Sequence, residues 1–217
     1  MPSRWIFAAC GLALGAAMAA SAADEALPPE KPTTPYEATV RTSFDIRRAG
    51  GGSAGSDTVE IRVSGARLYE KSKLLPENAA IVDTDKREVL EFDPDTRDAS
   101  KVAARFELND TPIPYIHGRS AIEAFDAGWG PPKIAGQDKV AKQKCTVLHY
   151  GDPASNGVAA CVSKQGVLMR MKIVVPDVER EFEIIEFDDD APNEKWFRVP
   201  EGFQIVTPEP QPAPTEQ

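Results

Sequence analysis

Apolar and polar side chains alternate with a period of two along most of this chain. Tyr36, Ala38, Val40, Thr42, Phe44 and Ile46 share one parity while Glu37, Thr39, Arg41, Ser43, Asp45 and Arg47 hold the other, which predicts a long strand with one buried face. Val59, Ile61 and Val63 repeat the pattern, Ser64-Gly65 offers a turn, and Leu68 and Tyr69 begin a return strand. The glycine-rich residues 49–56 ahead of them are expected to form a flexible connection. Further strands are expected at 79–83 and 87–93, split by Thr84-Asp85-Lys86, and in the stretch from 98 to 108, where Val102, Ala104, Phe106 and Leu108 fit a strand while Val102 and Phe106 also fit a helix face. Ser120 is placed to cap a short helix over 120–127, closed by Gly128. Strands resume at 134–141, 144–150, 157–163, 167–175, 180–187 and 196–199. About ten strands with one or two short helices define a mainly β fold, an antiparallel sheet large enough to curl.

The two ends follow other rules. Arg4, the apolar run from Trp5 to Ala20, and Ala20-Ser21-Ala22 read as an export signal over residues 1–23, cleaved near Ala22. Competing readings are an uncleaved anchor and lipidation at Cys10, but the run ends in small residues suited to processing and too few apolar residues precede Cys10. Residues 24–35 carry four prolines and read as an extended leader, and 207–217 as a disordered Pro-rich tail. Neither is expected to enter the core of a domain spanning 36–206. Export implies a periplasmic location, with no integral membrane span after processing. It leaves two cysteines, Cys145 and Cys161, which favours one structural disulfide. Positions 145 and 161 are equidistant from 153, so a hairpin centred there sets them opposite each other, within bonding reach.

Charge and composition remove several functions. With 25 Lys+Arg against 34 Asp+Glu the net charge is −9, and no basic stripe interrupts it, so nucleic acid is not a partner. His117 and His149 are the only histidines, and neither sits near a G-x-S-x-G or comparable nucleophile motif. Ser120 beside His117 is too close in sequence to make a usable triad. Asp188-Asp189-Asp190 lacks the spaced ligands of a calcium loop and reads as a solvated turn. Trp129 and Trp196 read as ordinary packing aromatics. No catalytic residue, metal ligand or cofactor is assigned, and the protein is read as a non-enzyme.

A set of motifs remains. The export signal is followed by a first strand opening at Tyr36, Ile81-Val82-Asp83 before a turn, Gly136 ahead of Cys145-x-x-x-x-Tyr150, Cys161-Val162 leading to Gly166-Val167, and Phe197-x-Val199-Pro200-x-Gly202-Phe203. In this order, over residues 36–206, they resemble the LolA/LolB-like periplasmic superfamily, especially its cysteine-pair-containing relatives. The resemblance implies an unclosed β half-barrel whose concave apolar face is covered by short helices and receives acyl chains. Prolines over 27–35 stand where the lipoprotein carriers have an amphipathic helix, and no carrier arginine is matched to Arg41, Arg62 or Arg67.

The implied function is a binding protein for a lipid, another apolar small molecule or an acylated protein. Strand alternation nominates Val40, Phe44, Val59, Ile61, Leu90, Phe92, Met169, Met171, Ile173, Phe182 and Ile184 as ligand-lining residues, the methionines giving an adaptable wall. The alternative is that these residues form an ordinary filled core and the protein is an envelope interaction module.

Overall fold

The computed structural model describes residues 26–47, 51–74, 79–103, 114–124 and 128–207. The export segment with Cys10, the far end of the 98–108 strand, positions 125–127 and the tail beyond Thr207 lie outside the described residues. Twelve strands form one sheet: β1 (Tyr36–Ile46), β2 (Ser53–Ser64), β3 (Arg67–Ser72), β4 (Ala79–Asp83), β5 (Glu88–Asp93), β6 (Asp98–Ala103), β7 (Lys133–Val140), β8 (Gln143–Asp152), β9 (Asn156–Ser163), β10 (Leu168–Val175), β11 (Val178–Asp188) and β12 (Gln204–Val206). Two single-turn helices, α1 (Pro114–His117) and α2 (Ser120–Glu123), separate β6 from β7. The spatial order is β12-β6-β5-β4-β3-β2-β1-β11-β10-β9-β8-β7. It is a single, unclosed, curved sheet.

Two antiparallel meanders meet at β1, which pairs with β2 on one side and β11 on the other. The register explains the core. Val40 lies opposite Val59 and Ile184, Ala38 opposite Ile61, Thr42 opposite Phe182, and Phe182 opposite Met171. Because partners across a ladder share a face, period-two alternation in each strand collects these side chains on the concave side. There they form the main core with Tyr36, Leu68, Leu148, Tyr150 and Val162. Burying each large apolar side chain contributes about 1.5–3 kcal/mol. The outer face of β3–β6 is apolar too. Ile81, Phe92 and Ala99 pack there against Tyr69, Leu90, Val199 and Phe203, with Phe92 and Phe203 edge to face at 5.6 Å.

Several elements differ from expectation. The connection read as flexible over 49–56 is shorter, because Ser53 to Ser56 pair with Ile46 to Ser43 and the long ladder absorbs them. Gly55 is compatible with this because the Phe44 ring lies where its Cβ would be, 2.8 Å from Phe44 Cε1. The strand expected at 196–199 is a 3-10 turn, Glu194–Phe197, whose Asn193 Oδ1 accepts from Lys195 N at 3.0 Å. β12 has no counterpart among the expected strands, and it runs parallel to β6. Ser120 does not cap the helix: its hydroxyl donates to the His117 carbonyl at 2.7 Å, Arg119 occupies the cap position, and α2 ends at Glu123.

The cysteine hairpin turns one residue later than its symmetry suggests. Cys145 pairs with Ser163 and Cys161 with Val147, so the cysteines sit on a diagonal. Their Cα atoms are 5.3 Å apart and the disulfide is formed. Asp152 accounts for the shift, since its carboxylate accepts from Ala154 N and Ser155 Oγ and centres the turn on 154.

Candidate functional site

The concave face has an apolar floor, a thin cover and an acidic end. The floor is supplied by β1, β2 and β8–β11. Of the nominated residues, Val40, Ile61, Met169, Met171, Phe182 and Ile184 are buried in it, and Val59 and Ile173 pack half-buried against it. Phe44 projects at the far end of β1, 40% exposed. Leu90 and Phe92 belong to the opposite, outer face, because Ile81 pairs with Leu90 and Ala79 with Phe92 while Val82 pairs with Val89 inside.

Among the described residues the cover is made of α1, α2 and the proline-rich leader. Helices of one turn cannot persist alone, so their position depends on docking. Tyr115, Ile116 and Ile122 bury into the main core, and Tyr115 meets Phe182 edge to face at 5.8 Å. Tyr36 Oη donates to the Tyr115 carbonyl at 2.8 Å. Burial raises the Tyr36 phenol far above its ordinary value, with Tyr115 adding to the effect, so it stays a neutral donor. The leader, expected to stay clear of the core, is strapped down instead. Arg119 Nε donates to the Pro28 carbonyl at 2.8 Å, Ser120 N to Glu30 O at 3.1 Å, and Thr33 N to Gln165 O at 2.8 Å. Arg119 also pairs with Glu123, whose Oε1 accepts from Tyr150 Oη at 3.2 Å. One buried guanidinium thereby joins leader, lid and β8.

At the β3–β6 end lies a cavity of about 610 Å³, within the range of roughly 300–1,000 Å³ usual for small-molecule sites. Glu70, Ser72, Ala80, Glu91, Asp93 and Ser100 line it, and Phe92 is the one nominated residue that borders it. Glu70 is mostly buried, and among the described residues no hydrogen bond or ion pair reaches it. Burial, reinforced by Glu91, pushes its carboxyl up to about 7. Tyr115, packed in the main core, has its phenol raised by burial and by the charges of Glu70 and Asp57. The sequence reading missed these acids. The available signal was Glu70 itself, a charge at the inward parity between Leu68 and Ser72.

The histidines form no reactive centre. Burial, and then Lys31, lowers the His117 imidazole, and the Ser120 hydroxyl is bonded to the carbonyl of His117 rather than to its ring. Trp196 stacks on Arg62 at 3.8 Å on the outer face, and Trp129 Nε1 donates to Asn156 Oδ1. Among the described residues there is no group of acids, histidines or cysteines arranged for a metal ion, and no helix is long and apolar enough to cross a membrane.

No protein-family model matches the chain, and no curated protein matches it in sequence. Solved structures do match. MucB shares 15% identity over 82% of this chain, with a TM-score of 0.51, and the chain spans 61% of MucB's length. An uncharacterized conserved protein from Thermus thermophilus shares 12% identity, with 81% of this chain and 91% of that one covered and a TM-score of 0.50. The neighbours include a LolA superfamily protein, NE2245 from Nitrosomonas europaea, at 11% identity over 77% of this chain and 91% of that one, with a TM-score of 0.39. At these identities the likeness to MucB and to the Thermus thermophilus protein concerns the fold alone.

Proposed function

We propose that this is an exported, periplasmic, non-enzymatic binding protein that holds a lipid or another apolar ligand, including the acyl chain of a client protein, on the concave face of its half barrel. The observation that supports the reading is the mismatch between a broad apolar floor and a cover that, among the described residues, consists of two one-turn helices and an extended strap. A cover with so few autonomous hydrogen bonds is a low-stability element. Its Tyr115, Ile116 and Ile122 occupy the place that an acyl chain would take, and the cavity at the β3–β6 end supplies room for the ligand's polar end. In this reading Val40, Ile61, Met169, Met171, Phe182 and Ile184 are the chain-contacting surface once the lid lifts.

Native mass spectrometry of protein purified from the periplasm tests the proposal. A reproducible co-purifying lipid mass supports it. An empty protein under gentle conditions, which also fails to take up added alkyl-chain probes, overturns it in favour of an envelope interaction module.

A further inference from the structure

The charges of β3–β6 are sorted by face. Arg67 pairs with Asp83, Lys71 with Ala79, and Lys101 with Leu90, so all three cations belong to the outer face. Glu70 pairs with Ala80, Ala80 with Glu91, and Glu91 with Ser100, so both glutamates and, two residues on, Asp93 belong to the inner face. Two of these cations are paired on that face: Lys101 with Glu88, and Arg67 with Glu194 through two bonds of 2.8 Å. Among these inner acids only Asp93 is engaged, its Oδ1 accepting from Asp95 N at 2.9 Å and Thr96 N at 3.3 Å. Neither a hydrogen bond nor an ion pair among the described residues reaches Glu70, although it is mostly buried and lines a cavity of about 610 Å³. A largely desolvated carboxylate with no cation beside it costs stability that a neutral residue would not cost.

Accepting the apolar-ligand reading above, we infer that the ligand is an amphiphile with a positively charged amine: its alkyl chain lies on the apolar floor, and its ammonium enters the cavity to pair with Glu70, with Glu91 and Asp93 around it. An ammonium offers three donors and no acceptor, which suits a site lined by acids and two serine hydroxyls. A carboxylate or phosphate headgroup would meet only like charge. Glu91 from β5 acts on Glu70, and Glu70 in turn acts on Tyr115 from α1, as Asp57 from β2 also does. Asp57 is already engaged by Thr58 N, Leu74 N and Ser72 Oγ, and Asp93 by Asp95 N and Thr96 N, which leaves Glu70, with Glu91 beside it, as the anion for the guest. Because the free Glu70 carboxyl is held near 7, amine binding strengthens as pH rises from 6 to 8, where Glu70 ionises while an alkylamine stays protonated.

The test is calorimetric binding of three twelve-carbon probes, dodecylamine, dodecyl maltoside and dodecanoate, each below its micelle concentration, to the full folded protein at pH 6 and pH 8. The expected result is dodecylamine tightest at pH 8, weakened roughly tenfold by Glu70→Gln, with dodecyl maltoside unaffected by the substitution. Glu91→Gln should weaken the amine by a smaller factor and serves if Glu70→Gln folds poorly. Equal binding of amine and maltoside, preferred binding of dodecanoate, or an amine affinity indifferent to both substitutions overturns the cationic-headgroup inference and leaves the apolar-ligand reading intact. If none of the probes binds, both fall together.

Discussion

Tyr36 and Glu70 show how differently two polar groups behave on one inner face. Tyr36 is 1% exposed and its hydroxyl has a partner, the Tyr115 carbonyl. Tyr36→Phe leaves that buried carbonyl without its donor, at a cost of about 1–3 kcal/mol, to be read as a lower urea midpoint with an unchanged slope. Glu70 has no partner among the described residues, and its effect runs the other way. Its folded-state carboxyl lies near 7 against an ordinary 4.5, so the folded protein holds the proton more tightly than the unfolded chain. The resulting stability is fully present below about pH 4.5 and is lost as pH rises through 7. Glu70→Gln should therefore match the wild type at pH 4 and exceed it at pH 8 by up to about 3 kcal/mol, checked by denaturation at both pH values. A purely structural glutamate would lose stability on that substitution.

Two elements depend on single points of attachment. The leader crosses Gly166 and Gly118, both at positive φ, and a Cβ on Gly166 would collide with the Lys31 carbonyl oxygen. Gly166→Ala is expected to lift the leader from the lid, exposing residues 26–35 to limited proteolysis that leaves the wild type intact there. The β8–β9 hairpin is stapled by Cys145–Cys161 across a loop of about 17 residues, worth roughly 3 kcal/mol in the chain-entropy model. Cys145→Ser with Cys161→Ser should lower stability by that amount under oxidising conditions and make it insensitive to reductant, measured by urea titration with and without dithiothreitol. Both strand and cysteine pattern were readable because they are local: alternation places a residue on a face, and a turn places its neighbours opposite. The hairpin register slipped by one because the Asp152 turn chemistry, rather than symmetry about 153, sets the rung.

Across the whole molecule, the two meanders share one core through the β1–β11 seam, where Val40 and Ile184 face each other, both fully buried. Unfolding is expected as a single transition, with calorimetric and near-ultraviolet circular dichroism midpoints coincident. Ile184→Ala should lower that midpoint at a cost of about 2–5 kcal/mol without splitting it, whereas separate domains would give two steps. What the chain determined by itself was the mainly β class, most strand positions, the cysteine pair and the apolar character of the floor, since each follows from side-chain parity and short-range turn chemistry. Only the tertiary structure decided which face of β5 looks inward, sending Leu90 and Phe92 outside against Phe203 and setting Glu91 beside Glu70. Parity tells two faces apart but does not say which of two apolar faces is concave. That choice rests on strand order, on curvature and on a C-terminal segment that returns from about 100 residues away to cover the outer side.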